Sequence, residues 1–367
     1  MISKIQDIKY YFKNKKNLRI AIISGEKSFK KIKGKNFIEK ILPKNNNLTF
    51  FFKKNSFPEI KELKKIIIHL QKFKPQLVIA IGGGSVLDYA KLAVLDDLKT
   101  DLNSKIKNGK YDLKKKLSRL IAIPTTAGSG AEVTSSAVIY INNIKYSVEG
   151  ESLKPENFFL IPELILNNSN KIKSSSGFDA ISQAVESIIS VKSNKQSLLY
   201  AKKSLNISLS NYKNFLNTPS FINCSNMSLA AMYSGKAINI SRTTAPHALS
   251  YPFTAIWGIS HGHAVSLTLE KFLKFNFQNQ KNNVANFNLN DRYKIIFNLF
   301  KVDNIIDLEK KIKNLKKSAN LEDNFQKLSI NIKNDYHKIL DGVNSQRLKN
   351  NPIKINKHDL KKILLNN

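Results

Sequence analysis

In the first half of the chain, apolar residues fall into short continuous runs separated by amphipathic segments. Three runs, at residues 18–24, 76–81 and 120–124, predict strands that are buried on both faces. Residues 61–73 place their apolar positions on one helical stripe, which predicts an amphipathic helix between the first two strands. Strands that alternate with helices indicate a mostly parallel α/β sheet over residues 1–165.

The pattern changes after Pro162. Five later segments have helical periodicity: residues 177–191, 194–212, 225–241, 261–275 and 291–300. Residues 304–367 are rich in Lys, Leu, Ile and Asn at helical spacing and predict solvated amphipathic helices. A chain of 367 residues is too long for one ordinary core. We therefore expect two domains, an α/β domain over residues 1–165 and an all-helical domain over residues 166–367.

A glycine-rich segment follows the second predicted strand. Gly82, Gly83, Gly84 and Ser85 lie between that strand and a helix predicted over residues 86–94. A strand, a glycine loop and a helix in this order present backbone N–H groups and a helix N-terminus to a phosphate group. The alternative is a simple tight turn, and the segment is not the GxGxxG fingerprint.

A second candidate ligand loop follows the third predicted strand. Its glycines and the hydroxyls of Thr125, Thr126 and Ser129 suit a close approach to a ligand, although a plain Ser/Gly loop is the alternative. Beyond it, residues 137–140 and 145–148 flank Asn142 and Asn143 and predict a β-hairpin.

The second half contains a candidate metal site. Asp179 and Gln183 are four residues apart on a predicted helix, so both project from one face. Three of the six histidines lie within residues 247–263, among them His247 and His261. A carboxylate, an amide oxygen and two imidazoles make a plausible four-point site for Fe²⁺ or Zn²⁺. A helix cap and scattered core histidines are the alternative interpretation.

The net charge is +33, which raises the possibility of a nucleic-acid or membrane partner. The lysines are spread along the whole chain together with many Asn and Ile, Arg is scarce, and no nucleic-acid motif accompanies them. We therefore expect neither nucleic acid nor membrane as a partner. The charge would still attract an anionic substrate over long range.

Cysteine usage and hydropathy bear on the compartment. The single cysteine, Cys224, excludes an internal disulfide and a cysteine-rich metal site. The first residues lack the apolar core of a signal peptide, and no apolar run is long enough for a membrane span. We expect a soluble, cytoplasmic protein.

Several of these segments resemble motifs of the iron-containing (group III) alcohol dehydrogenase family. Residues 82–91, GGGSVLDYAK, resemble its GGGSxxDxAK pyrophosphate loop, which includes Asp88, and residues 124–134 resemble its second cofactor loop. Asp179, His247 and His261 fall on three of its four metal positions. The resemblance covers about residues 15–275.

The resemblance implies a Rossmann-like dinucleotide-binding domain and an all-α C-terminal domain, a fold shared with dehydroquinate synthase, with the active site in the cleft between them. It implies an iron-type alcohol dehydrogenase or aldehyde reductase that uses Fe²⁺ or Zn²⁺ and NADH or NADPH. We also expect a homodimer. The implied cofactor contacts are Gly25, Gly82, Gly83, Gly84, Ser85, Asp88, Thr125, Thr126 and Ser129.

Three positions depart from the family pattern. Gln183 stands where the general family has a metal-binding histidine, and its amide oxygen is a weaker ligand. Tyr251 replaces a second histidine that many members place near the nicotinamide, and His263 replaces a usual apolar residue. The proton that the product alkoxide needs could come from His263, Tyr251 or a metal-bound water.

Residues 239–251 and 258–265 look like the branch of the family that reduces phosphonoacetaldehyde to 2-hydroxyethylphosphonate. This branch implies a small anionic aldehyde as substrate. Arg242 and Lys145 are candidate contacts for its phosphonate group, and the planar guanidinium is the better bidentate partner. Each could equally be a surface charge.

The end of the first strand bears on the choice between cofactors. Family members that prefer NAD tend to have an aspartate there that contacts the adenosine ribose, and Gly25 stands in its place. Ser24, Lys27 and Ser28 could donate to a 2′-phosphate, although Glu26 could take over the ribose contact. We expect NADPH to be modestly preferred, with NADH also used.

Three rival functions remain open from the sequence. The chain could act on a different small alcohol or aldehyde, or catalyse a non-redox reaction like that of dehydroquinate synthase. It could also be a basic nucleic-acid-binding protein. Residues 243–263 favour the dehydrogenase over the non-redox relative.

Overall fold

The computed structural model describes residues 2–365 except 56, 96–100, 109–115, 143 and 344, and at residues 345 and 346 it describes the backbone alone. The chain divides into two compact units, Met1–Asn168 and Ser169–Asn367. The sequence had placed this division between residues 165 and 166.

The N-terminal unit contains both strands and helices. Its strands are β1 (Arg19–Gly25), β2 (Asn47–Lys53), β3 (Leu77–Gly82), β4 (Arg119–Pro124), β5 (Ser136–Ile141), β6 (Ile144–Glu149) and β7 (Asn157–Phe158). Its helices are α1 (Ile5–Phe12), α2 (Glu26–Lys31), α3 (Gly34–Ile41), α4 (Ile60–Phe73), α5 (Gly84–Ala93), α6 (Leu102–Lys107) and α7 (Glu163–Leu166).

Five of these strands form a sheet in the order β2-β1-β3-β4-β7, with every pair parallel. In β1, Ala21 and Ile23 join a core with α4 and α5, whereas Ile20 and Ile22 join a core with α1 and α3. Burial on both faces explains why β1, β3 and β4 have continuous apolar sequences. The predicted parallel α/β sheet is confirmed.

Two strands of the sheet lie outside the predicted set. β2 and β7 are its edge strands, and the described residues of β2 are half-buried or exposed rather than buried. β7 has only two residues. Edge strands lack the continuous buried run on which the prediction rested. β5 and β6 pair antiparallel, as the predicted hairpin requires, and Asn143 of its turn lies outside the described residues.

Every regular element among the described residues of the C-terminal unit is a helix, which confirms the predicted all-α class. The α-helices are α8 (Asn170–Ile189), α9 (Lys195–Asn217), α10 (Phe221–Ser241), α11 (Ala245–Trp257), α12 (His261–Ser266), α13 (Leu269–Gln278), α14 (Leu289–Phe300), α15 (Ile305–Ser318), α16 (Ile332–Asp341), α17 (Ser345–Leu348) and α18 (Lys357–Leu365). No described helix combines the length and the hydropathy needed to cross a bilayer.

Two helices differ from the sequence prediction. The single helix expected over residues 261–275 is interrupted at Thr268, where φ is −132°, and becomes α12 and α13. α11 was not predicted as a helix, because Pro246 and Pro252 both fall within it. Pro246 lies in the first turn, where a missing N–H leaves no intrahelical bond unmade.

Candidate metal centre and cofactor loops

Three predicted ligands converge within the C-terminal unit. Asp179 lies in the middle of α8, His247 in the first turn of α11, and His261 is the first residue of α12. One ligand atom from each lies within 4.8 Å of the other two. Asp179 and His247 are buried and His261 is half-buried. Nε2 of His247 and Oδ1 of Asp179 are 3.3 Å apart.

A glycine permits this convergence. A Cβ atom on Gly262 would lie 1.9 Å from the carbonyl oxygen of Ser175 and 2.8 Å from Cβ of Asp179. The backbone of α12 therefore lies directly against α8, a contact that any side chain at this position would prevent. This contact places His261 next to Asp179.

The second ring nitrogen of His247, Nδ1, is hydrogen-bonded to a buried carboxylate. This nitrogen donates to Oε1 of Glu186, which is fully buried. Oε2 of Glu186 accepts from the backbone N–H of Thr244 at 2.7 Å and from its hydroxyl at 2.9 Å. Burial alone lowers the pKa of His247, but the carboxylates of Glu186 and Asp179 outweigh burial and raise this pKa to about 9.

His261 has a similar partner. Its Nδ1 lies 3.3 Å from Oγ of Ser250, and that hydroxyl donates to the carbonyl of His247 at 2.8 Å. Because the Ser250 proton is already directed to a carbonyl, Oγ serves as the acceptor for Nδ1–H. In both imidazoles, Nε2 is then the atom that can bind a metal.

Gln183 is next to the centre and contacts its carboxylate. Its Nε2 donates to Oδ2 of Asp179 at 3.1 Å, and its Oε1 accepts from Oγ of Ser234 at 2.9 Å. In this arrangement the amide holds Asp179 in place. Ligation of a metal by its oxygen stays a prediction.

The residues present fit a divalent metal ion. Nε2 of His247 is buried and makes no hydrogen bond of good geometry among the described residues, although Oδ1 of Asp179 is 3.3 Å away. A metal ion bound there would satisfy this polar atom. One carboxylate and two imidazoles are ligands that both Fe²⁺ and Zn²⁺ accept.

The two predicted proton donors have different surroundings. The Tyr251 ring is buried, and its centroid lies 6.2 Å from that of His261. Nε2 of His263 is 2.6 Å from the carbonyl oxygen of Glu322, to which it donates, and burial lowers the pKa of His263. His263 is thus bonded to a backbone carbonyl, whereas Tyr251 lies beside the predicted ligand His261. The role of either as proton donor stays a prediction.

The two predicted phosphonate contacts belong to different units. Arg242 follows α10 with φ 62° and ψ 172°, a backbone conformation that residues other than glycine rarely adopt. Its Nη1 donates to the carbonyl of Asn239 at 2.9 Å. Lys145 lies in β6, where its charge opposes the burial that raises the pKa of Asp88. Contact of either with a substrate stays a prediction.

The two predicted cofactor loops pack against each other in the N-terminal unit. A Cβ atom on Gly84 would lie 2.7 Å from Oγ of Ser129, and one on Gly83 would lie 3.4 Å from the Thr126 side chain. Gly83 is the N-cap of α5 and, having no side chain, makes no side-chain cap bond to the first turn of the helix. This arrangement suits a phosphate group.

Thr125 and Asp88, two of the remaining predicted contacts of these loops, have partners within the N-terminal unit. Thr125 donates its N–H to the carbonyl of Gly82 at 3.0 Å, which joins the ends of β4 and β3. Ser85 is half-buried in the first turn of α5. Oδ2 of Asp88 accepts from the N–H of Val138 at 3.1 Å, and burial raises the pKa of Asp88 to about 6.

Lys91, a buried lysine for which no role was predicted, connects α5 to the second loop and to β5. Nζ of Lys91 donates to the carbonyl and hydroxyl of Thr134 at 3.0 and 2.9 Å and to the carbonyl of Ser136 at 2.9 Å. Lys91 lies in α5, so it fastens this helix to the second loop. Its place in the GGGSxxDxAK segment was the one signal for it.

Ser24 and Ser28, two of the predicted donors to a 2′-phosphate, already donate to backbone carbonyls. Ser24 is fully buried and donates to the carbonyl of Ile81 at 2.6 Å, so its hydroxyl is not available to a 2′-phosphate. Ser28 donates to the carbonyl of Gly25 at 2.9 Å. Lys27 is exposed and stays a candidate.

Comparison with known families covers both units. Residues 3–162 match the family model described as iron-containing alcohol dehydrogenase. Residues 173–367 match the C-terminal model of the Fe-containing alcohol dehydrogenase family.

Two curated relatives are named for the reduction of an aldehyde or the oxidation of an alcohol. A phosphonoacetaldehyde reductase of Streptomyces viridochromogenes is 30% identical over 217 residues, which are 56% of this chain and 55% of the relative. A 1-propanol dehydrogenase of Salmonella typhimurium is 27% identical over 238 residues, 64% of this chain and 61% of the relative. The chain thus covers little more than half of the length of these proteins.

Solved structures share the fold over nearly the whole chain. A sulfoacetaldehyde reductase from Bifidobacterium kashiwanohense, solved with NAD+, superimposes with a TM-score of 0.86 and 23% identity over 99% of this chain and 94% of its own. An iron-containing alcohol dehydrogenase from Thermotoga maritima gives a TM-score of 0.81 and 22% identity over 94% and 90%. These likenesses establish the fold.

Proposed function

Because the chain belongs to the iron-containing alcohol dehydrogenase family, we propose that it catalyses the metal-dependent reduction of a small aldehyde by NADH or NADPH. The proposed substrate is phosphonoacetaldehyde and the product is 2-hydroxyethylphosphonate. The observation that carries the proposal is the convergence of Asp179, His247 and His261 within 4.8 Å.

The proposed reaction adds one hydride to the carbonyl carbon and one proton to the carbonyl oxygen, while the nicotinamide is oxidised. Asp179, His247 and His261 would hold Fe²⁺ or Zn²⁺, and the ion would supply Lewis-acid stabilisation of the charge that develops on that oxygen. Tyr251, buried beside His261, is the proposed source of the proton for the alkoxide.

Two observations support a phosphonate substrate. The relative from Streptomyces viridochromogenes, 30% identical, is named for phosphonoacetaldehyde. The net charge of +33 favours the approach of an anion, and Arg242 offers a guanidinium in the turn that leads to His247. We propose Arg242 as the phosphonate contact, with Lys145 as the second candidate.

The second candidate function is the reduction of an uncharged aldehyde or the oxidation of the corresponding alcohol. The 27% identity to a 1-propanol dehydrogenase favours it. The two functions share the metal centre and differ in the requirement for a negative charge on the substrate.

A panel of aldehydes separates the two functions. Phosphonoacetaldehyde, sulfoacetaldehyde and propanal are assayed with NADH and with NADPH, on protein whose metal content has been measured. We expect the highest kcat/KM with phosphonoacetaldehyde and a modest preference for NADPH. Equal or better turnover of propanal would support the second function.

Chelation tests the metal requirement in the same assay. Removal of the metal should abolish reduction, and addition of Fe²⁺ or Zn²⁺ should restore it. Full activity of protein shown to be free of metal would contradict both functions. We also propose a homodimer, which light scattering on the purified protein would test.

A further inference from the structure

Glu186 is a buried carboxylate close to the metal centre, and the reaction proposed above gives it no role. It lies on α8 seven residues after Asp179, or two helical turns along the same face. Its side chain is fully buried, and both oxygens contact α11 or the residue before it. Burial of a carboxylate is costly unless its hydrogen bonds compensate for the lost hydration.

The two oxygens of Glu186 have different partners. Oε2 accepts both bonds from Thr244, the N-cap residue of α11, and so holds the start of that helix. Oε1 accepts from Nδ1 of His247. A carboxylate that only anchored α11 would need the first oxygen alone, so the second contact calls for a separate explanation.

The contact with His247 selects one form of the imidazole. A carboxylate is an acceptor only, so Nδ1 has to be the protonated nitrogen, and in neutral imidazole Nε2 is then the one with a lone pair. That Nε2 lies 3.3 Å from Oδ1 of Asp179, inside the cluster of ligand atoms. The bond also fixes the rotation of the ring, because the two nitrogens lie on opposite sides of it.

We propose that Glu186 is a positioning residue of the metal centre, which fixes the tautomer and the ring orientation of His247 so that Nε2 is presented to the metal. The inference rests on the proposed metal dependence. It extends the site from three ligands to a chain of contacts from Thr244 through Glu186 and His247 to the metal.

Glu186→Gln tests the proposal because an amide cannot reproduce both sets of contacts. If its oxygen faces Thr244, its NH₂ group faces Nδ1 of His247 and favours the tautomer with the proton on Nε2. If its oxygen faces His247, the NH₂ group meets the N–H and hydroxyl of Thr244. Loss of such a partner of a ligating histidine typically weakens metal binding by roughly 10–100-fold.

The experiment measures the dissociation constant of Zn²⁺ by chelator competition and the rise in Tm on metal addition, for the full chain. We expect Glu186→Gln to raise the dissociation constant at least tenfold and to reduce the rise in Tm. Glu186→Asp keeps the charge on a shorter side chain and should fall between Glu186→Gln and the unaltered protein. It also keeps the test decisive if Glu186→Gln does not fold.

Ser187→Ala is the matched control. Ser187 is the next residue of α8, is fully buried, and accepts from Oγ of Ser241 at 2.8 Å. Its replacement removes a buried hydrogen bond from the same turn without touching His247, so stability should fall and the Zn²⁺ dissociation constant should stay unchanged.

Two outcomes would overturn the inference. An unchanged dissociation constant in folded Glu186→Gln would show that the carboxylate serves only to anchor α11. An equal weakening in Ser187→Ala would show that any damage to this region has the same effect. Failure of the unaltered protein to bind Zn²⁺ or Fe²⁺ would instead contradict the proposed function itself.

Discussion

At the scale of single residues, Gln183 is the position at which this metal centre differs from the general family, which has a histidine ligand there. Its two amide atoms contact Asp179 and Ser234, so it either orients the carboxylate or contributes an oxygen when a metal is bound. Imidazole is a better ligand than an amide for Fe²⁺ and Zn²⁺. The two roles predict opposite effects of Gln183→His on the metal dissociation constant.

We expect Gln183→His to lower the metal dissociation constant, because it would add an imidazole to the cluster of Asp179, His247 and His261. Chelator competition with Zn²⁺ measures it, and Ser234→Ala is the control that removes the partner of the amide oxygen while leaving Gln183 in place. Weaker binding in Gln183→His would mean that the amide serves to hold Asp179 and that Gln183 is not a ligand.

Residue types and spacing predicted part of this centre and could not predict the rest. Asp179 and Gln183 follow from their four-residue spacing on a helix, and His247 and His261 stand out because histidine is rare in this chain. The roles of Glu186 and Ser250 depend on which nitrogen of each imidazole faces them. Spacing along the chain does not contain that information.

At the scale of elements, the centre depends on how closely α12 approaches α8. The prediction of strands and long helices from periodicity succeeded where an element is buried on one stripe or on both faces, as in β1, β3, β4 and α4. It failed for the edge strand β2 and for α11, whose two prolines break the usual helical pattern. The contact at Gly262 could not be predicted, because it requires knowing which two helices touch.

We expect Gly262→Ala to separate α12 from α8 and to raise the metal dissociation constant by more than about tenfold. The added methyl group would meet the backbone of Ser175, which cannot give way as a side chain can. Overpacking of this kind also costs stability, typically about 1–3 kcal/mol.

Gly177→Ala separates the two effects of Gly262→Ala. It adds the same methyl group to α8, where that group would lie 2.6 Å from the Tyr212 ring of α9 rather than against α12. It should lower Tm and leave metal affinity unchanged. Equal metal affinities in the two variants would contradict the idea that this helix contact builds the site.

At the scale of the whole molecule, buried charges of the N-terminal unit make stability depend on pH. Burial raises the pKa of Glu132 to about 7 from an ordinary value of 4.5, although the Lys91 ammonium acts in the opposite direction. Between these values the native protein binds a proton that the unfolded chain has released. The contribution of Glu132 to the free energy of unfolding is therefore complete below pH 4.5 and is lost as pH rises through 7.

We expect Glu132→Gln to remove this loss. Relative to the unaltered protein, its free energy of unfolding should gain about 3 kcal/mol between pH 4.5 and pH 8, from a shift of this size. Chemical denaturation at several pH values measures the difference, in which the remaining charges cancel. Parallel pH profiles for the two proteins would show that Glu132 titrates normally in the native state.

The net charge of +33 should act on the substrate before it reaches the site. A protein of this charge attracts a dianion over a distance set by the Debye length, which shrinks from about 30 Å at 0.01 M salt to about 10 Å at 0.1 M. With the nicotinamide cofactor saturating, we expect kcat/KM for phosphonoacetaldehyde to fall about tenfold across this range of salt concentration. The same measurement with 3,3-dimethylbutanal, an uncharged aldehyde of similar shape, should show little dependence on salt. If both aldehydes respond alike, salt acts on the protein or on the cofactor, and the lysines then do not direct the substrate.

Arg242→Ala adds a second comparison, because loss of a local contact should raise the KM for phosphonoacetaldehyde at every salt concentration and leave the slope with salt unchanged.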